Sequence, residues 1–284
     1  MTPWMRRELS RALWQAYKKP LGIIGIIAAC IGVVVLIFVE LRLYGTGFEK
    51  KTLWDWLQLL IIPVVLVVGG FLLNNTTSRT EREIASDRQQ EEALQAYIDS
   101  MSELLLDRKL RESKLEDEVR TIARVRTLTV LPRLDGKRKA RVLQCLYESG
   151  LIHKDKKIID LSGADLSDAN LTRDKLSDAD LSGARLVRAN LIGAWLNGAD
   201  LNTANLASAI LRGVDLAGAN LRQAFLYKAD LSDANLKGAD LWRATLYEAN
   251  FEGVDLTFVS VTSEQLAEAK SLKGARMRDG TPHA

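Results

Sequence analysis

The sequence predicts a mixed fold: a two-helix transmembrane hairpin, a charged helical stalk or subdomain, and a β-solenoid. Two apolar runs near the N-terminus are each close to the length that crosses a bilayer. A charged stretch rich in helix formers follows them. From Leu161 to Leu256, every fifth residue is leucine except Phe251. The boundaries are a basic segment at 1–20, the hairpin at 21–73, the helical region at 74–157, the solenoid at 158–261, and a helical cap and tail at 262–284.

The first span runs from Leu21 to Val39, nineteen residues without a charge, and the second from Leu57 to Leu73, with Gln58 its one strongly polar member. Trp4, Trp14 and Tyr17 before the first span, and Tyr44, Trp54 and Trp56 between the two, fall where amphipathic rings favour the headgroup level. Five bases precede the first span and three follow the second, against three in the loop, which places both termini in the cytoplasm. A bacterial inner membrane is the expected location. The stretch Ile27, Ala28, Ala29, Cys30 has the look of a lipoprotein cleavage box, but the apolar run continues nine residues past Cys30, so it reads as part of a span. Gly25 with Ala29, and Ala28 with Gly32, offer small residues for close helix packing. Pro63, Gly69 and Gly70 are kinks that a span tolerates. The two cysteines, Cys30 and Cys145, cannot build a disulfide framework or a metal-ligand set, so a reducing setting is expected for the body.

Between Thr80 and Glu148, Leu94, Ile98, Met101 and Leu105 are spaced 4, 3, 4, the pattern of an amphipathic helix. Asp87 and Glu91 interrupt the seam before them, which favours packing within the chain over a coiled coil. Pro132 and the Asp135–Gly136 turn divide off a later helix containing Val142, Leu143 and Leu146. Eight bases and one acid lie between Arg120 and Arg141. They read either as a face against anionic lipid or as a solvated helix surface.

The repeat is the most specific signal. Twenty positions carry nineteen leucines and one phenylalanine, and the residue two before each is alanine sixteen times, with Ile159, Asp174, Val214 and Val254 as the others. On an α-helix a step of five leaves successive leucines about 140° apart, with no common face. On a straight strand an odd step flips the side chain at each repeat. The chain must therefore turn a corner within each unit, with residues such as Ala199 and Leu201 inward and Asp200 outward. Glycine fills the second corner position eight times, consistent with a backbone that needs positive φ or little side chain.

Units such as Ala199, Asp200, Leu201, Asn202, Thr203 closely resemble the pentapeptide-repeat family over about 104 residues, and with the two spans the whole resembles a membrane-anchored bacterial member. The resemblance implies a right-handed, quadrilateral β-helix of four pentapeptides per coil, about five coils here. Asp174 at an inward position puts the regularity of the first coil in question. With four units per coil, residues twenty apart stack. One outer column is then Asp160, Asp180, Asp200, Asn220 and Asp240, an acidic stripe whose mutual repulsion is expected to raise carboxylate pKa values. It reads as a site for a basic partner or as ordinary wall residues. Phe225, Tyr227 and Tyr247 share one outer side, with Trp242 at the neighbouring corner, and this aromatic cluster is the candidate protein-binding patch. Thr262 and Gln265 have capping-box spacing for a short helix over 262–270 that covers the open end of the solenoid. Ala275 to Met277 read as a last imperfect repeat, and the tail beyond them as loose.

His153 falls in a charged linker and His283 near the C-terminus, neither with a nucleophile or ligand cluster around it. No phosphate loop, catalytic carboxylate pair or Cys/His metal motif is present. The expectation is a non-enzyme without a cofactor: a membrane-anchored scaffold whose partners are the lipid bilayer and a protein the sequence does not name. Self-association through the spans or the C-terminal coils is a further expectation. An oligomeric pore is the alternative. A DNA-mimicking inhibitor, a role found in the family, ranks lowest, because the solenoid's fourteen acids are interrupted by nine bases, and binding to nucleic acid itself is not expected.

Overall fold

The computed structural model describes residues 53–277 and 280–283, with side chains described from residue 80. The chain divides into two compact units, 1–85 and 86–284. The span at 21–39 lies outside the described residues. The span at 57–73 falls in helix α1 (Leu53–Leu106), in its part without described side chains. The interface aromatics and the small-residue and hinge readings of that region also lie outside what is described. From residue 80 on, no helix is long and apolar enough to cross a membrane.

Within the second unit, α1 is followed by α2 (Glu118–Val130) and α3 (Gly136–Glu148). The 4, 3, 4 spacing serves the predicted packing within the chain: Leu94, Tyr97, Met101 and Leu104 are buried, with Ile98 and Leu105 packed against the same core. The Tyr97 hydroxyl and the Thr127 hydroxyl are 2.9 Å apart in this interior, and Thr127 also donates to the Ala123 carbonyl. Burial pushes the Tyr97 phenol well above its ordinary value. Asp87 and Glu91, which spoil the seam, have a different task. They accept from Arg138 of α3 at 2.8 and 2.9 Å, while the Asp135 carboxylate receives the third side of the same guanidinium. Arg138 is 9% exposed, and a buried cation is tolerated when its donors are satisfied in this way. Asp135 also caps α3 by accepting from the Arg138 amide.

A two-residue hairpin, β1 (Ile152–His153) and β2 (Lys156–Lys157), occupies what the sequence presents as a linker. The solenoid begins beyond it. Parallel bridges join residues twenty apart, as in Asp180 to Asp200 to Asn220 to Asp240, so four pentapeptides make one coil and residues 161–260 make five. Each unit sends hydrogen bonds to the next coil: Leu201 donates to Asn220 O at 2.8 Å, Thr203 to Arg222 O at 2.9 Å, and Asp200 back to Ala179 O at 2.9 Å. The alanines and leucines fill the interior at 0–5% exposure, each leucine contributing about 1.5–3 kcal/mol before chain entropy is set against it.

The second corner position takes positive φ from 163 through 253, both at the eight glycines and at eleven other residues, including Arg173, Gln223 and Arg243. The turn geometry therefore comes from the solenoid, and glycine eases it. Asp174 leaves the coil intact: its amide donates to Leu171 O at 3.2 Å and its carbonyl accepts from Trp195 N at 2.9 Å.

Both ends of the column are closed. On the first coil, Arg124 donates to the carbonyls of Asp160 and Ser162, and Lys139 to that of Ser167. The Gly136 carbonyl accepts from Asn170 N, the Ile152 carbonyl accepts from Asp180 N, and Lys154 N donates to Asp178 O. All four sides are met. Six of the eight bases between Arg120 and Arg141 make internal hydrogen bonds or ion pairs. These contacts, rather than lipid headgroups or water alone, account for most of the cluster.

At the far end, α4 (Ser263–Ala267) begins with the predicted Thr262–Gln265 capping box. The Gln265 side-chain amide donates to the carbonyls of Leu241 and Ala244. Glu268, Ser271, Lys273 and Arg276 supply carbonyls to the amides of Glu248, Phe251, Gly253 and Leu256, a sixth partial coil at a step of twenty to twenty-one. The expectation of a loose tail is corrected. Residues 280–283 return antiparallel, with His283 N donating to Ala275 O and Arg276 bridged to Pro282. They cover the outer edge of the last repeat.

Candidate protein-docking face

The wall position just before each inward leucine or phenylalanine explains the repeated Asp and Asn. Fourteen of the twenty are Asp or Asn, and each accepts the amide N–H two residues on, as Asp200 does from Asn202 at 2.9 Å. These side chains hold the corner. The acidic stripe is built from them.

Asp180, Asp200, Asn220 and Asp240 stack as the sequence requires. Asp180 is 5% exposed and paired with Lys157 at 2.9 Å, and Lys157 and Arg124 also reach Asp160. Asn220 donates to Asp200, and Arg222 pairs with Asp240. The expected repulsion is outweighed where a shift is resolved. Burial pushes the Asp160 carboxyl up, but hydrogen bonds from Ser162 with the charges of Lys157 and Arg124 hold it below the usual range. At Asp240, burial is likewise overcome by the Trp242 amide and Arg222. The stripe is mostly engaged within the molecule.

The aromatic cluster differs. Phe225, Tyr227 and Tyr247 are 51%, 40% and 50% exposed on one side of the fourth and fifth coils. The two tyrosine rings stack at 5.8 Å between centroids with planes 2° apart. Trp242 is half-buried at the adjoining corner, where Arg222 and Arg243 lie over its ring at 4.4 and 4.1 Å. Phe225 occupies a wall position that holds the corner-forming Asp or Asn in fourteen of the twenty units. It forgoes that hydrogen bond, a net loss of about 0.5–1.5 kcal/mol, and leaves a large apolar ring in water.

The same departure occurs at Trp195 and Ile210, and these two and Ile192, just after inward Leu191, are further exposed apolar side chains on coils two and three. Sequence reasoning passed over these three. For Trp195 and Ile210 the signal was an apolar residue at a wall position that favours Asp or Asn. Elsewhere, the described residues offer little for chemistry. A cleft of about 750 Å³ beside Arg138 is lined by Asp87, Glu91 and Asp135, all paired with that arginine, and by Lys137 and Arg141. Among the described residues, no group of His, Cys, Asp and Glu is placed to hold a metal. His153 lies in β1, bridged to Ala179.

Among solved structures, the chain is similar to a pentapeptide repeat protein of the Arabidopsis thaliana thylakoid lumen, at 32% identity over 43% of this chain and 83% of that one, with a TM-score of 0.25. A Nostoc pentapeptide repeat protein matches at 29% identity over 43% and 94%, with a TM-score of 0.22. HetL of Nostoc, a pentapeptide repeat protein involved in heterocyst differentiation regulation, matches at 25% over 43% and 86%, with a TM-score of 0.21. No curated relative matches the sequence. The family model for pentapeptide repeats matches eight copies across residues 159–186, 184–223 and 224–259. The chain belongs to the pentapeptide-repeat family, whose repeats imply a right-handed quadrilateral β-helix.

Proposed function

We propose that this protein is a membrane-anchored binding module, not an enzyme, which holds a stiff solenoid in the bacterial cytoplasm and docks a protein on the face of Phe225, Tyr227, Trp242 and Tyr247. The carrying observation is Phe225, a half-exposed ring at a wall position where fourteen of the twenty units take a corner-holding Asp or Asn. Because both coil ends are closed, a partner cannot add a strand and must meet a side. Two apolar runs of nineteen and seventeen residues support the anchor. The engaged acidic stripe is a poor match for the regular free charge that a DNA mimic needs.

The test is crosslinking in membranes from the Phe225 face, with wild type compared with a Phe225→Asn, Tyr227→Ser, Tyr247→Ser variant. The variant is expected to keep its β-rich circular dichroism and lose the crosslinked species. In addition, Phe225→Asn alone is expected to raise stability by about 0.5–1.5 kcal/mol through the restored corner bond. Crosslinking that persists unchanged in the triple variant rules out this face.

A further inference from the structure

We infer that the occupant of this face is an acidic protein segment carrying apolar side chains, an inference that rests on the docking reading above. Three cations rim the aromatics. Arg222 is paired with Asp240 at 2.9 Å and Lys228 with Glu248 at 3.4 Å, but Arg243 has no ion-pair partner among the described residues. Its guanidinium lies over Trp242. Stacking uses the face of the guanidinium and leaves its in-plane N–H groups to meet a carboxylate. Arg243 also stands at a corner with φ of 59°, a conformation that glycine adopts freely and does adopt at eight equivalent corners. An exposed arginine stacked on Trp242, with no ion-pair partner among the described residues and on the side of the exposed aromatics, is well suited to a ligand.

The charge of the other sides makes the contrast. Coils three to five there carry Asp215, Asp230, Asp233, Glu252 and Asp255 against Arg212 and Lys237. An acidic partner is drawn toward the aromatic side and repelled from the others. The patch is a flat wall of stacked strands with no projecting loop to enter the acyl layer, which favours a protein over a lipid surface. Apolar side chains on the partner would cover Phe225 and the tyrosine stack, while its carboxylates meet Arg243 and compete for Arg222.

The experiment is a selection of random twelve-residue peptides displayed on phage against the purified full chain, repeated on Arg243→Glu and on Phe225→Asn. Peptides of net negative charge with interspersed apolar residues are expected to enrich on the wild type and to disappear on Arg243→Glu. A synthetic peptide from the enriched set should bind Arg243→Glu at least tenfold more weakly, bind Arg243→Lys at intermediate strength, and lose affinity as salt rises. Enriched peptides that depend on Phe225 but not on charge or Arg243 would overturn the acidic chemistry and leave the docking reading standing. A selection in which nothing depends on either residue overturns both. Two other results also overturn the proposal. One is a change in sedimenting species on Arg243→Glu without any added peptide, which assigns the face to a second copy. The other is Arg243-dependent binding of phosphatidylglycerol vesicles by a chain that enriches no peptide, which assigns it to lipid.

Discussion

Asp174 shows how far one residue can depart from the repeat without breaking it. Its position is otherwise alanine, valine or isoleucine throughout the solenoid. The backbone bonds of the coil form around it, while its half-buried side chain makes no hydrogen bond among the described residues. Burial raises the Asp174 carboxyl above its ordinary value. A raised folded-state value means that the protonated form is the better tolerated one in the fold. That contribution is present below the unfolded carboxyl's pKa of about 3.9 and is lost as pH rises through the folded value. Asp174→Asn is therefore expected to raise the melting midpoint at pH 7 by about 2–4 °C, corresponding to about 1 kcal/mol of relieved burial. The gain should shrink toward zero near pH 3. Thermal melts of both proteins at the two pH values read this directly, and an equal gain at both would mean that the charge is not the source. Asp135, Asp160 and Asp165 have the opposite sign: burial pushes each up, but neighbouring hydrogen bonds and cations hold each below the usual carboxylate range. Their stabilisation is present above about pH 4 and lost as pH falls through the folded values.

At the scale of elements, the joint between α3 and the first coil depends on one residue with no side chain. Gly136 gives its carbonyl to Asn170 N at 2.9 Å, and a Cβ on it would sit against the Asp168 carbonyl oxygen. Gly136→Ala is expected to cost about 1–3 kcal/mol by forcing α3 away from the coil. Faster hydrogen exchange should be confined first to the Asn170 amide and its neighbours. Gly213→Ala is the comparison, since nothing lies within 4 Å of its added Cβ and its φ is +60°. It should cost about 1–2 kcal/mol from backbone strain alone and leave Asn170 protected. Exchange at Asn170 that responds equally to both changes would remove the special role of this joint.

The joint also marks the limit of what the sequence discloses. The solenoid is legible because a period of five excludes helix and straight strand, and the α4 cap because Thr262 and Gln265 carry their own local signal. The N-terminal cap is not. Arg124, Lys139 and Gly136 serve partners 28 to 38 residues away, so the same bases read equally well as a lipid-facing or solvated surface. Asp87 and Glu91 break a heptad for a reason that becomes visible only when Arg138 arrives from α3. For the docking face, exposure and the tyrosine stack follow from the twenty-residue column. The pairing of two guanidiniums with Trp242 depends on rotamers that no spacing rule supplies.

For the whole molecule, the consequence is a column that can be addressed only from its sides. A stack of parallel coils is by construction an open edge at each end, and open edges template further pairing. Here the first coil is met by α2, α3 and the β1–β2 hairpin, and the last by the segment from Thr262 onward. Deleting residues 262–284 removes the carbonyl partners of Glu248, Phe251, Gly253 and Leu256, along with the Gln265 contacts to Leu241 and Ala244. With the Lys270 and Arg276 amides that serve Ala249 O and Val254 O also gone, four amides and four carbonyls lose partners on a rigid, flat edge that cannot rearrange to satisfy them. The truncated chain is expected to associate end to end through this edge, with concentration-dependent species in sedimentation, while retaining the circular dichroism of its five coils. Gln265→Ala, which keeps the partial sixth coil and loses only the side-chain contacts, should lower stability by about 1 kcal/mol without that association. A truncated chain whose sedimentation matches the intact protein at all concentrations would show that the fifth coil closes its own edge. The cap would then be dispensable for solubility, and its place over Leu241 and Ala244, next in the chain to Trp242 and Arg243, would point instead to a part in presenting the docking face.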